Sequence, residues 1–149
     1  MNVTKSLYQF RPQDIYFCEP IANNIMNDGV FIRIIDSSSF CMINGLYLHM
    51  QLSQVTYDKH FNKFKCNFYI GDHIDMINRI KNIEECVLQK APIAPHKTPQ
   101  LKIHEQLCQG HIKLFTEEID PKNNQFVLKI SGLWETSDAY GLTYKFIPV

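Results

Sequence analysis

The stretch Gly71-Asp72-His73-Ile74-Asp75-Met76-Ile77-Asn78-Arg79-Ile80-Lys81-Asn82-Ile83-Glu84-Glu85-Cys86-Val87-Leu88-Gln89-Lys90 decides how this chain is read. At about 100° per residue, Ile74, Met76, Ile77, Ile80, Ile83, Val87 and Leu88 gather on one half of the wheel, and Asp75, Asn78, Arg79, Asn82, Glu85 and Gln89 on the other. The pattern predicts one amphipathic helix over residues 72–89, capped by Asp72, with Asp75 and Arg79 paired on its wet side. On either side of it the period of the sequence is that of strands.

Upstream, residues 30–35 are β-branched and aromatic and end in the turn-forming Asp36-Ser37-Ser38-Ser39. Residues 40–52 contain Asn44-Gly45, either a two-residue hairpin turn or a bulge in one long strand. Residues 54–69 read as a strand pair or a single curved strand. Residues 1–28 mix prolines, asparagines and aromatics too irregularly for a helix and are expected to form an N-terminal arm. Downstream, Pro92, Pro95 and Pro99 make residues 91–99 an exposed connector that forbids helix and ladder alike. Strands are expected at 111–116, 126–133 and 141–147, separated by polar turns at 120–124 and 135–138.

Strands, one helix, a proline-rich connector and strands again is the order of the five-stranded oligonucleotide-binding (OB) barrel, whose helix lies between its third and fourth strands. The expected fold is mainly β: an OB-like antiparallel barrel with one helix and an N-terminal arm. A β-grasp-like or other α+β sheet with a single helix would give a similar string. The 149 residues suit one domain, long enough to bury a core without a metal or disulfide. No apolar run approaches a membrane span, and residues 1–7 lack a signal peptide's apolar stretch, so an intracellular protein of cytoplasm or nucleus is expected. Five cysteines, widely spaced and without a C-x-x-C pair, indicate neither a disulfide framework nor a zinc ribbon.

Fifteen basic against fifteen acidic side chains exclude a general duplex-DNA coat, which would be strongly basic. The balance is uneven: residues 59–102 carry eight basic and four acidic groups. Overlapping the start of that third is Tyr57-Asp58-Lys59-His60-Phe61-Asn62-Lys63-Phe64-Lys65-Cys66-Asn67-Phe68-Tyr69. If it is extended, Lys59, Phe61, Lys63 and Lys65 share one face, and Phe64, Cys66 and Phe68 the other. Lysines for phosphates beside a ring for a base are what single-stranded nucleic acid rewards. Lysines guarding an exposed strand edge are the alternative. Phe31 and Arg33 alternate together, and Lys129 and Lys145 interrupt otherwise apolar or hydroxyl-bearing faces, so these four are candidate contributors to the same surface. Trp134, where a strand enters a turn, is either a stacking residue at the rim or a plug under the hairpin.

His104, Cys108 and His111 form the one close cluster of metal-ligating types, without an evident fourth ligand, so no metal site is expected. No nucleophile elbow, zincin, P-loop or dinucleotide motif occurs, and neither an enzyme nor a cofactor is expected.

The segment Leu128-Lys129-Ile130-Ser131-Gly132-Leu133-Trp134-Glu135-Thr136-Ser137-Asp138-Ala139-Tyr140-Gly141-Leu142-Thr143-Tyr144-Lys145-Phe146 resembles endings found among small replication-associated proteins of DNA viruses and virus-like elements. The resemblance implies a single-stranded-DNA-binding protein of that broad group. It carries over no residue-level binding motif, and the chain ends in Phe146-Ile147-Pro148-Val149 where bacterial proteins of that functional class have a flexible acidic tip. The expected function is binding of single-stranded DNA or RNA with little sequence preference, in replication or related DNA metabolism, as a monomer or homo-oligomer and away from membranes. The rival reading is a protein-interaction or assembly module that ignores nucleic acid.

Overall fold

The long central strand β10 (Gln125–Glu135) organises the molecule, because three other strands pair with it. The structure, a computed structural model, describes residues 4–23, 29–38 and 41–149. Residues 1–3 and 24–28 of the expected arm, and Ser39 and Phe40 after the first turn, lie outside the described residues. The described strands are β1 (Ile15–Phe17), β2 (Ile21–Asn23), β3 (Gly29–Ser37), β4 (Met42–Asn44), β5 (Leu46–Gln51), β6 (Thr56–His60), β7 (Lys63–Asn67), β8 (Thr98–Gln100), β9 (His111–Leu114), β10 and β11 (Ala139–Pro148). The helices are α1 (Ile74–Lys90) and α2 (Lys102–Cys108).

The sheet runs β1-β3-β10-β11-β9-β7-β6, with β2 and β4 on β3, β5 on β10 and β8 on β11. The fold is mainly β with one long helix, as the hydropathy pattern predicts. Among the described residues β6 does not pair back to β1, so the sheet stays open instead of closing into a barrel. Nor is it wholly antiparallel, since β8 and β9 both run parallel to β11. Gly45 settles the Asn44-Gly45 alternatives: with φ +95° it bends one chain path, so that β4 pairs with β3 and β5 crosses over to β10.

Three local expectations are corrected. The helix begins later, because residues 70–73 form a 3-10 turn and Asp72 makes no capping bond. Arg79 lies over the Tyr8 ring, 4.0 Å from its centroid, instead of pairing with Asp75; the solvated ion pair is worth only a few tenths of a kcal/mol and the stacked guanidinium does at least as well. The connector is not free of ladder, since Thr98–Gln100 forms β8 at an edge of β11, the position where a strand tolerates Pro99.

Pairing register sorts the side chains onto two faces. On one, Ile32, Leu48, Leu114, Leu128, Leu133 and Phe146 pack with Ile77, Ile80, Ile83 and Val87 of α1 and with Ile103 and Leu107 of α2. Each such side chain contributes about 1.5 to 3 kcal/mol on burial. Glu84 is fully buried among them: its carboxylate accepts the backbone N–H groups of Ile103 (2.9 Å) and His104 (3.0 Å), capping α2 from the neighbouring helix. No helix among the described residues is long and apolar enough to cross a membrane.

Candidate nucleic-acid interface

The face turned away from the helices follows from the same registers. Lys129 pairs with Lys145 across β10 and β11. The parallel pairing of Phe146 with Leu114 sets Lys145 beside Lys113 on β9, and Lys113 pairs with Lys65 on β7. Four adjacent strands therefore carry Lys129, Lys145, Lys113 and Lys65 in one transverse row. At about 4.8 Å between strands the row spans about 14 Å. Tyr47 on β5 pairs with Lys129 at one end, its ring 5.6 Å from that ammonium, and Asp58 on β6 pairs with Lys65 at the other.

Among the described residues none of these four lysines, nor Lys63 or Arg33, takes part in an ion pair. Asp58, the acid at the end of the row, accepts a hydrogen bond from Asn67 Nδ2 at 2.8 Å. Like charges set directly opposite one another on a sheet weaken it, so the row is not explained by folding.

Seven of the nine candidate residues lie on this face: Phe31, Arg33, Lys63, Lys65, Lys129, Trp134 and Lys145. Phe31, Arg33, Asn44, Lys129 and Ser131 line a cleft of about 170 Å³. Trp134 is half-buried and covers Gly141, where an added Cβ would come within 2.6 Å of the indole. The Phe31 ring covers Gly132 in the same way, so two aromatic groups lie on the sheet because glycine leaves room for them.

The other two candidates are placed differently from the alternation argument. Residues 57–69 are not one strand: Phe61-Asn62 forms a two-residue turn between β6 and β7, and the turn reverses the phase of alternation. Lys59 therefore pairs with Phe64 on the helix side of the sheet, its ammonium 5.8 Å from that ring, and does not share a face with Lys63 and Lys65. Phe61 sits at the hairpin tip, 97% exposed, with φ +55°. It lines a groove of about 400 Å³ with His60, Lys63, Phe64, Lys65, His111 and Lys113.

Sequence reasoning missed Lys113 and Phe115. Lys113 is the link between Lys65 and Lys145, and Phe115, 69% exposed, shares a hollow of about 290 Å³ with Lys113 and Lys145. The alternation of His111, Lys113 and Phe115 with the buried Ile112 and Leu114 is the signal that could have found them.

A larger hollow, about 530 Å³, lies at the start of α1 and is lined in part by Ser53, Asp72, His73 and Arg79. Its buried histidine is structurally committed. Ser53 N–H donates to His73 Nε2 (2.9 Å), so Nδ1 carries the proton and donates to the Tyr69 carbonyl (2.7 Å). Cys108 is exposed against the His104 ring, and no group of three or more His, Cys, Asp or Glu among the described residues could hold a metal. No family model matches the chain, and no curated protein or solved structure shows significant similarity to it.

Proposed function

We propose that the lysine-bearing sheet face binds single-stranded nucleic acid, DNA foremost, with little sequence preference and in the service of replication or related DNA metabolism. The observation that carries the reading is the transverse row Lys129, Lys145, Lys113 and Lys65, four cations in register, none of which forms an ion pair among the described residues. A strand laid across β10, β11, β9 and β7 would set its phosphates on these ammonium groups and its bases against Phe31, Trp134, Phe115 and the Phe61 tip. Phe61 adds a second argument, because a bulky residue at positive φ costs about 1 to 2 kcal/mol where a hairpin turn ordinarily takes glycine. That strain, borne by an almost wholly exposed ring, favours a binding role over a folding one. On this reading the open sheet is an unclosed variant of the OB arrangement.

The test is a fluorescence-anisotropy titration of a labelled oligo-dT. Binding is expected at low salt, with log K falling against log salt at a slope of about −2 to −3 for three or four phosphates released. A flat titration at low ionic strength refutes the reading. A second reading, contact with another polypeptide or a second copy, is favoured by Tyr16, Ile21 and Met42, exposed by 56, 55 and 71%. Light scattering that gives a stable oligomer indifferent to oligo-dT would select it.

A further inference from the structure

Two histidines stand among the lysines of the groove behind the β6–β7 hairpin. His60 pairs in register with Lys63, and His111 opens β9 opposite Asn67, with Lys65 and Lys113 at hand. The groups facing His111 can be named from each element around it. β7 supplies Lys65 and Lys63, its own strand supplies Lys113, and β6 supplies His60 and, at the far side of Lys65, Asp58. α2 and the turn after it supply uncharged groups: Gln106 Nε2 donates to the His111 carbonyl at 2.8 Å, and the Gln109 backbone bonds the imidazole. Burial, followed by the charges of Lys65 and Lys113, holds the imidazole below its ordinary 6.5, so the free protein carries it neutral at neutral pH.

We propose that this groove is a phosphate site, and that His111 takes up a proton when a phosphate group fills it. An anion seated between Lys65 and Lys113 offsets the lysine repulsion that adds to burial in keeping the ring neutral and supplies the imidazolium with a counter-charge, and the imidazolium then adds an N–H donor to those of the lysines. The phosphate belongs to the nucleic-acid backbone if the proposed function holds, and is free phosphate otherwise; only this source rests on that reading. Occupancy and protonation are reciprocal, so whatever phosphate does to the affinity for protons, protons do to the affinity for phosphate.

The full chain is titrated by NMR, following the His111 imidazole against pH in chloride and in inorganic phosphate at matched ionic strength. The midpoint is expected to rise in phosphate by about one pH unit, a tenfold gain in proton affinity. Equal midpoints in the two salts overturn the proposal. In a second arm, oligo-dT binding is measured between about pH 5.5 and about pH 7.5 for the natural chain and for His111→Gln, which cannot titrate in that interval. Binding that tightens about tenfold on acidification in the former and not in the latter supports the site. Equal tightening in both overturns it. A raised midpoint in phosphate without oligo-dT binding at any pH upholds the phosphate site and sinks the nucleic-acid reading.

Discussion

Replacing Glu84 by Gln should change the pH dependence of stability and not merely its level. Glu84 is fully buried, and its two carboxylate oxygens satisfy the N–H groups of Ile103 and His104 at the start of α2. Two effects oppose one another there. Burial disfavours the charged form, the two N–H donors favour it, and burial prevails, pushing the carboxyl from its ordinary 4.5 up to about 7. Between those values the native chain binds a proton that the unfolded chain has released, so stability falls as pH rises through the interval. The fall is about 3 kcal/mol. Glutamine does not titrate, but it keeps a single acceptor and turns its NH2 group toward a backbone donor, a loss of about 1 to 3 kcal/mol. Urea unfolding of both chains, followed by circular dichroism across the interval, gives a difference curve from which the other carboxylates cancel. The natural chain should lead by about 1 to 3 kcal/mol at the acid end, and its lead should vanish or reverse by neutral pH. A flat difference curve, or one rising with pH, would show that the helix start holds the carboxylate charged and that the argument from burial is wrong.

Other outcomes follow from the sheet face. Lys113→Glu places a carboxylate between Lys145 and Lys65. It should raise stability by a few tenths of a kcal/mol while weakening oligo-dT binding at least tenfold; parallel losses of both in thermal melts and anisotropy would mean the row is structural. Phe61→Gly should stabilise the hairpin by about 1 kcal/mol and cost about 1 to 3 kcal/mol of single-strand binding, whereas Phe64→Ala, at a half-buried ring, should lower the melting temperature. Trp134 is the only tryptophan, so its emission should be quenched as oligo-dT saturates; an unchanged spectrum at saturation places the strand away from β10.

The helix was legible from its helical period of apolar residues and most strands from their β-branched and aromatic content between polar turns: α1 starts two residues after the expected position and ends one later, and Gly29–Ser37, Gln125–Glu135 and Ala139–Pro148 contain the expected strands. The second helix was not, because α2 has only seven residues and takes its cap from Glu84, a residue distant in sequence. Most of the basic and aromatic candidates could be assigned to one surface because each interrupts its own strand. Their alignment could not, since it depends on which strands are neighbours. Lys59 illustrates the weakness of alternation as an argument: a single unrecognised turn at Phe61-Asn62 inverts the phase for everything before it. Lys113 shows the converse: alternation in its own strand turns it outward, but its position in the row depends on the parallel pairing of β9 with β11.

The placement of β10 also dictates a schedule for synthesis. Its partners Phe31 and Leu48 leave the ribosome long before Trp134 and Leu128, to which they are matched. Until the last strands emerge, β3 and β5 wait with apolar sides and ladder edges unfilled, a dependence on distant contacts that slows folding and invites aggregation of nascent chains. Chaperone demand, and sensitivity to truncation within β10 and β11, should therefore be high.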